Sequence, residues 1–293
     1  MADLSPDGRP RLLYAVQGPR REEPGDSLSR SAAGPIPGRG RREVLRMFNT
    51  TKALVLREVR YKEADRILTL LTVSDGKITA KARGALRKSS RTAAATQQLS
   101  WSEMTLFGNR GKWTVNEASV LEPFSGLQTD IARFALGSYF AECLEAFSVE
   151  DQPDGALLQL GLNALYALSH ELHDPLKIKA AFEFRLMALA GFQPEISSCA
   201  YCGRETPEDP ILGLEQGGVC CRACRKAAFG SAVSLGEEGL AALRYILAAP
   251  PKQFLSFNLG DTETAQLSEA GERYVQAHAE RKFSTLEYWK KVR

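Results

Sequence analysis

The chain has 293 residues, 44% of them hydrophobic, which is enough for a sizeable core and two or three domains. No apolar run approaches the roughly 20 residues of a membrane-spanning helix, and the start lacks the hydrophobic region of a secretory signal, so we expect a cytoplasmic protein. The net charge of +3 is unevenly distributed: residues 47–123 carry thirteen basic and seven acidic side chains, which favours contact with a polyanion.

The first 46 residues differ in composition from the rest of the chain. They contain six Pro, six Gly and nine Arg, without hydrophobic periodicity. This composition predicts a disordered basic tail at 1–46. The first patterned segment begins at Met47, so the tail is either an accessory basic arm or an extension of the start, and the sequence leaves both interpretations open.

Short strands are predicted between Met47 and Phe124. Their ranges are 53–59, 66–73, 77–83, 101–107 and 112–120. The Asp75-Gly76 pair predicts a hairpin turn between the second and third strands, because this dipeptide supplies positive φ. The third strand alternates strictly, with Ile78, Ala80 and Ala82 inward. Five strands in about 75 residues predict an OB-fold barrel at 47–124, with an SH3-like barrel as the alternative.

A basic cluster accompanies the third strand. No acidic residue separates its members, which are Lys77, Lys81, Arg83, Arg87, Lys88 and Arg91. An OB barrel binds single strands by following phosphates with such cations and stacking bases on aromatic side chains, here Trp101, Phe107 and Trp113. The alternative is a solvated edge strand whose lysines prevent edge-to-edge pairing. We predict that these six residues bind nucleic acid.

From Thr129 onward the hydrophobic period becomes that of a helix, which predicts a helical domain at 125–293. Helices are predicted at 130–149 and 156–169, and a third lies between an Asp174 N-cap and a Gly191 C-cap. Ser234 and Glu237 predict a capping box for a further helix, which stops at Pro250-Pro251. A final helical stretch covers 261–289.

Four cysteines interrupt this helical domain in a module at 197–229. They form two CxxC pairs, Cys199 with Cys202 and Cys221 with Cys224, separated by eighteen residues. The spacing matches a closed four-thiolate site, which predicts one structural Zn²⁺ ion per chain. Two disulfides or a thiol redox switch are the alternatives.

Two further cysteines are accounted for separately. Cys220 adjoins Cys221 and could replace it as a ligand only by stretching the second pair to a three-residue spacing. Cys143 lies on an apolar helical stripe and is predicted to be a small buried hydrophobe.

Enzyme motifs are absent: the sequence contains no GxxxxGK[ST] loop, no HExxH helix and no zinc-deaminase signature. His170 and His173 have the spacing of a helical metal pair, but they stand at a predicted helix end, which favours a helix-terminus role. We assign no catalytic residue. A metal-dependent nucleic-acid enzyme and a zinc-containing transcription regulator, each using the barrel for targeting, are the alternatives.

Three segments resemble the RecO family of bacterial recombination-repair proteins. They are YKEADRILTLLTVSDGKITAKARGALRKSSR (Tyr61–Arg91), FEFRLMALAGFQPEISSCAYCG (Phe182–Gly203) and GGVCCRAC (Gly217–Cys224). The order of a basic OB barrel, a helical domain and a late four-cysteine module is also similar to that family. The likeness covers about Met47 to Cys224.

The resemblance implies a non-enzymatic mediator of recombinational DNA repair. RecO-type proteins bind single- and double-stranded DNA, anneal complementary strands and, with a RecR-type partner, help load the RecA recombinase onto DNA coated by single-strand-binding protein (SSB). It further implies the SSB C-terminal tail as a partner of the helical domain, and a nucleoid-associated location. Carried over to this sequence, it makes Cys199, Cys202, Cys221 and Cys224 the zinc ligands and puts the DNA contacts within Lys77–Arg91.

Overall fold

The computed structural model describes residues 47–109, 111–279 and 281–293, so the basic tail predicted at 1–46 lies outside the described residues. The described chain forms a closed five-stranded barrel followed by a helical domain. None of the helices in these ranges combines the length and the apolar character that crossing a lipid bilayer requires.

The barrel strands are β1 (Met47–Tyr61), β2 (Asp65–Thr72), β3 (Gly76–Ala82), β4 (Trp101–Asn109) and β5 (Lys112–Glu122). They pair in the order β1-β2-β3-β5-β4, and β1 also pairs with β4, which closes the barrel. The β3–β5 pair is parallel and the other pairs are antiparallel. This Greek-key arrangement is that of an OB-type barrel, which confirms the predicted fold.

Alternation along the strands explains the interior of the barrel. Ile78, Ala80 and Ala82 of β3 are buried in its core together with apolar residues of the other four strands, as predicted. The turn before β3 is also as predicted, because Gly76 has a φ of +68°. Arg66 of β2 is buried and donates to the carbonyl oxygen of Ala93 at 2.8 Å, which ties the connection between β3 and β4 to β2.

The helices are α1 (Ser125–Gln128), α2 (Ile131–Phe147), α3 (Gly155–Ser169), α4 (Pro175–Leu189), α5 (Gly236–Ala248), α6 (Asp261–His278) and α7 (Ser284–Val292). Asp130, Asp154 and Asp174 begin α2, α3 and α4, since each side chain accepts a hydrogen bond from a backbone N–H of the first turn. Gly191, with a φ of +89°, follows the last residues of α4.

A small antiparallel sheet lies between α4 and α5. Its strands are β6 (Pro210–Gly213), β7 (Val219–Cys221) and β8 (Ala232–Ser234), with β6 in the centre. The predicted capping box is wrong because Ser234 belongs to this sheet, where it pairs with Ile211. Its hydroxyl accepts a hydrogen bond from Arg222, and α5 begins without a side-chain cap.

Two other helical features differ from the sequence prediction. The final stretch is divided into α6 and α7, and the buried Phe283 lies in the connection between them. The short helix α1 was not predicted. It packs close to α3, because a Cβ at Gly126 would collide with the carbonyl oxygen of Ser169.

The barrel and the helices share one hydrophobic core. Leu54, Leu56, Leu71 and Trp101 point outward from the barrel and are buried in the same cluster as the apolar faces of the helices. At this junction the Nζ of Lys77 donates to the carbonyl oxygen of Glu145 in α2 at 2.9 Å. The helical domain therefore covers part of the outer surface of the barrel.

An ion pair is buried at the centre of the helical domain. Lys179 of α4 lies 3.0 Å from Glu183, and both side chains are at most 1% exposed. Tyr139 of α2 donates to Glu183 at 2.7 Å, and Lys179 donates to the carbonyl oxygen of Ser268 in α6 at 3.0 Å. Glu272 of α6 lies 3.4 Å from Lys179. This network joins α2, α4 and α6, and it leaves neither member of the ion pair without a partner.

Candidate nucleic-acid interface and metal centre

Four of the six predicted nucleic-acid-binding residues lie in the segment that follows β3. Arg83, Arg87, Lys88 and Arg91 are all exposed. Within the described part of the chain, their side chains form no hydrogen bond or ion pair, so their full charge faces solvent. Free cations on a surface loop are suited to contacts with phosphate oxygens.

Backbone contacts hold this loop in one position. The N–H of Gly84 donates to the carboxylate of Asp65 at 2.8 Å, and the N–H of Leu86 donates to the carbonyl oxygen of Ala64 at 2.9 Å. Ala85 is buried in the barrel core. The loop is thus tied to the β1–β2 turn, and Arg87 and Lys88 are presented from a fixed backbone.

Lys81 lies at the start of the same surface but is already paired. Its Nζ is 2.8 Å from the carboxylate of Asp65 and 4.8 Å from the centre of the Tyr61 ring. The hydrogen bond from Lys81, reinforced by the one from Gly84, holds the pKa of Asp65 below its ordinary value. Asp65 therefore stays charged at neutral pH.

Lys77 differs from the other five residues. It stands four residues before Lys81 on the same face of β3, about 13 Å away. Its ammonium group is half-buried and bound to the carbonyl oxygen of Glu145 at the junction with α2. The structure thus brings five of the six predicted residues to the end of β3 and its loop, and it places Lys77 between the barrel and the helices.

The three aromatic residues that the sequence offered for base stacking point in different directions in the structure. Trp101 is 5% exposed and packs in the core shared with the helices, and Trp113 turns inward against the barrel core. Only Phe107 points outward, and its ring lies 5.1 Å from that of Phe48. Phe48 and Tyr61 were missed because the strand predicted at 53–59 stops short of both ends of β1.

The four cysteines of the two CxxC pairs come together in the small sheet module. The Sγ atoms of Cys199, Cys202, Cys221 and Cys224 all lie within 4.8 Å of one another. Cys202 Sγ and Cys221 Sγ are 3.9 Å apart. A tetrahedral zinc site with Zn–S bonds near 2.3 Å has sulfur–sulfur edges of about 3.8 Å. The donor set therefore fits a metal ion.

Hydrogen bonds within the module aim the thiols. The N–H of Ala200 donates to the carbonyl oxygen of Val219, which fixes the first CxxC turn beside β7. Burial by itself raises the pKa of Cys199, but backbone N–H groups of Cys202, Cys221 and Tyr201 outweigh it and lower the pKa to about 6. The hydrogen bond to Cys202, followed by desolvation, raises the pKa of Cys224 to about 12. All four sulfurs would become thiolates together only when a bound cation displaces the proton of Cys224.

The remaining cysteines do not belong to the four-thiol cluster. Cys220 is fully buried, and because alternate residues of a strand face opposite sides, β7 directs it away from Cys221. Its pKa is raised to about 11, first by burial. Cys143 is buried in α2, as predicted for a small hydrophobe. All six cysteines, which fall within the described ranges, are free thiols.

Among the residues that the structure describes, the histidine pair belongs to no cluster of three or more metal-ligating side chains. His170 directly follows α3, where its ring stacks on Tyr166 at 4.0 Å between centroids and Nδ1 lies 3.0 Å from the carbonyl oxygen of the same residue. This agrees with the predicted helix-terminus role. The described ranges contain one cluster of three or more His, Cys, Asp or Glu side chains that could hold a metal ion. That cluster is the cysteine quartet.

The fold and these sites define a protein with an OB-type barrel, a helical domain and a four-cysteine module. Residues 47–124 match the family model "Recombination protein O N terminal", and residues 128–287 match "Recombination protein O C terminal". The chain therefore belongs to the RecO family.

Similar proteins from several bacteria carry the name DNA repair protein RecO. The protein of Acetivibrio thermocellus is 33% identical over 240 residues, covering 82% of this chain and 95% of its own length. That of Alkaliphilus metalliredigens is 30% identical over 248 residues, covering 84% and 100%. That of Symbiobacterium thermophilum is 31% identical over 242 residues, covering 80% and 94%.

Proposed function

We propose that the protein is a DNA-binding mediator of recombinational repair, and that it binds DNA through the loop after β3. The main support for this proposal is a group of four exposed, unpaired cations on a loop that hydrogen bonds hold against an OB-type barrel: Arg83, Arg87, Lys88 and Arg91. OB-type barrels bind single-stranded nucleic acid by such a surface. Lys81 adds a cation that Asp65 partly balances, and Lys77, bound at the junction with α2, contributes least.

Phosphate contacts supply most of the affinity in this proposal, without preference for base sequence. If the four unpaired cations each meet one phosphate, the logarithm of the binding constant falls with the logarithm of salt concentration with a slope of about −3 on single strands. Because the loop backbone is already fixed, little backbone entropy is lost when the cations meet the phosphates.

Membership of the RecO family, whose relatives are named DNA repair proteins, supports the wider role. In that role the protein anneals complementary strands and, with a RecR-type partner, helps load RecA onto single strands coated by SSB. The SSB C-terminal tail would bind the helical domain, and DNA binding would bring the protein to the nucleoid. The chemistry of strand exchange belongs to RecA, so the mediator itself is non-enzymatic.

The cysteine quartet has a structural role in this proposal. Cys199, Cys202, Cys221 and Cys224 would hold one Zn²⁺, a closed set of four thiolates without a position for substrate or water. The module has a core of only a few buried side chains, so metal binding would supply much of its folding free energy. The chain would then divide into a DNA-binding domain at 47–124 and a helical, zinc-containing domain at 125–293.

Removing two of the loop charges tests the DNA-binding site. Arg87→Ala with Lys88→Ala should weaken binding to a 20-residue oligothymidine and reduce the magnitude of the salt slope by about 1.4, because two phosphate contacts are lost. Fluorescence anisotropy at several salt concentrations measures both quantities. The matched control is Lys252→Ala with Lys291→Ala, which removes the same charge from exposed positions of the helical domain. Equal slopes for the two double variants would refute the assignment.

An annealing reaction on SSB-coated complementary strands tests the mediator role. The wild-type protein should accelerate annealing, and the Arg87→Ala/Lys88→Ala variant should do so more slowly, because it holds each strand less tightly. Addition of the RecR-type partner and RecA then tests recombinase loading. If the wild-type protein binds DNA but never anneals coated strands, the proposal is reduced to DNA binding alone.

A further inference from the structure

The outer surface of the barrel carries a row of side chains on its strands, separate from the cations of the loop after β3. Successive partners across the strand ladders form what we call the outer row: Val59, Ile67, Lys81, Thr114, Phe107 and Phe48. The residues that alternate with them, such as Ala80, Leu106 and Val115, fill the barrel core. Because side chains alternate along a strand, the outer row faces away from that core.

Both ends of the outer row expose large apolar groups. Phe48 is 65% exposed and Val59 is 47% exposed. The ring of Phe48 leans on Phe107 at 5.1 Å with an interplanar angle of 47°. Tyr61, 43% exposed, stands two residues beyond Val59 on the same face of β1. Neighbouring exposed apolar side chains, unlike single scattered ones, are typical of interaction surfaces.

A cation lies between the two aromatic groups. Lys81 is 4.8 Å from the Tyr61 ring centre and two strand spacings, about 10 Å, from Phe107. Lys112, exposed at the end of the β4–β5 turn, adds a second charge. Glu117 of β5 borders the row further along. Phosphates are therefore attracted towards Lys81 and Lys112 and repelled from Glu117, with Asp65, 2.8 Å from Lys81, offsetting part of the lysine charge.

The outer row is also continuous with the proposed DNA interface. Lys81 belongs to both, and Arg83 follows it by two residues at the end of the same strand. The helices leave this part of the barrel surface open, because their contacts with the barrel lie nearer Lys77 and Arg57, both bound to Glu145. A strand whose phosphates lie along the loop would thus have its bases within reach of exposed rings.

The geometry points to a base-stacking subsite for single-stranded DNA on the outer row and Tyr61, with Lys81 holding a phosphate between the aromatic groups. This subsite rests on the proposed function and adds to it the strand state that the barrel prefers. Unpaired bases have free faces that stack on Phe or Tyr, whereas the bases of a duplex are already stacked and paired. The protein therefore prefers single strands to duplex of equal length.

Three ligands separate stacking from charge: a 20-residue oligothymidine, a 20-residue strand of abasic nucleotides, and a 20-base-pair duplex. The wild-type protein should bind oligothymidine at least about fivefold more tightly than the abasic strand, since each stacked base contributes at least that factor. Phe48→Ala with Phe107→Ala should bring this ratio towards one, with the salt slope and the duplex affinity unchanged. Tyr288→Ala, which removes an exposed ring of α7, is the matched control.

Two additional variants guard against a folding defect, because Phe107 is half-buried. Phe48→Ser alters only the more exposed ring and should still lower the ratio, and Phe107→Trp should preserve it. If the wild-type protein binds all three ligands, with equal affinity for oligothymidine and for the abasic strand, the stacking subsite is wrong. The exposed rings would then serve a protein partner, and the proposed function would stand. Absence of binding to every ligand would overturn both. The Arg87→Ala/Lys88→Ala variant should weaken all three complexes and keep the ratio.

Discussion

Replacing Lys179 by Met would leave Glu183 as a buried carboxyl group without its cation. Removing one partner of a buried ion pair costs about 3–5 kcal/mol of unfolding free energy, a large part of the 5–15 kcal/mol typical of a folded protein. Glu183 is fully buried, and its remaining donor would be Tyr139. Urea unfolding at pH 8, followed by circular dichroism, should show this loss. The exposed control Lys252→Met should change the free energy little.

The loss should depend on pH in a direction that the structure fixes. Burial raises the pKa of Glu183 to about 7, against the lowering effects of Lys179 and Tyr139. In the wild-type protein this group therefore reduces stability as pH rises from its unfolded pKa to about 7, and not beyond. Without Lys179 the pKa rises further, so the variant continues to lose about 1.4 kcal/mol per pH unit above 7.

The neighbouring titratable groups do not alter this sign. Tyr139 and Cys143 have pKa values raised well above their ordinary ones, first by burial, and stay neutral over the tested range. Glu272 is bound by Lys290. The free energy of unfolding that Lys179→Met loses relative to wild type should thus be about 1.4 kcal/mol smaller at pH 6 than at pH 8. A difference independent of pH, or still pH-dependent after Glu183→Gln is added, would refute the reasoning.

Cys221→Ser should lose zinc, measured by metal analysis of protein purified without oxygen, and should melt at a lower temperature, whereas Cys220→Ser should keep the metal; the reverse result would move the ligand by one residue. Gly271→Ala should destabilise the protein by about 1–3 kcal/mol, because a Cβ there would lie 2.7 Å from an oxygen of the buried Glu183. The control Gly239→Ala has no heavy atom nearer than 3.9 Å and should be stabilising, as Gly-to-Ala changes inside helices usually are. Equal effects of the two glycine substitutions would contradict the close packing of α4 and α6.

Features that depend on neighbours in sequence were predictable from the chain alone. The Asp75-Gly76 turn and the Asp174 N-cap need only local backbone geometry, and both occur where predicted. The CxxC pairs likewise bring four thiols together, because each pair is one tight turn. Alternation in β3 correctly separated the buried alanines from the outward lysines.

Features decided by tertiary contacts were not predictable in this way. Ser234 and Glu237 match a capping box, but pairing with Ile211 places Ser234 in a strand. The basic cluster gave no reason to separate Lys77 from Arg87, and only the approach of α2 makes the difference. Trp101 has an aromatic side chain of the kind that stacks on bases, yet the helices cover it.

Because the helical domain packs its core against the outside of the barrel, the folding of the barrel and the folding of the helical domain are coupled. Leu54, Leu56, Leu71 and Trp101 would be exposed in a chain that stopped at Phe124, and their return to water would disfavour a stable isolated barrel. Gly76 strengthens this dependence, because any side chain there would meet the backbone of Gln152. Barrel and helices should therefore unfold together in one cooperative transition, and a destabilising substitution deep in the helices, far from the proposed DNA interface, should still weaken the DNA binding that we propose.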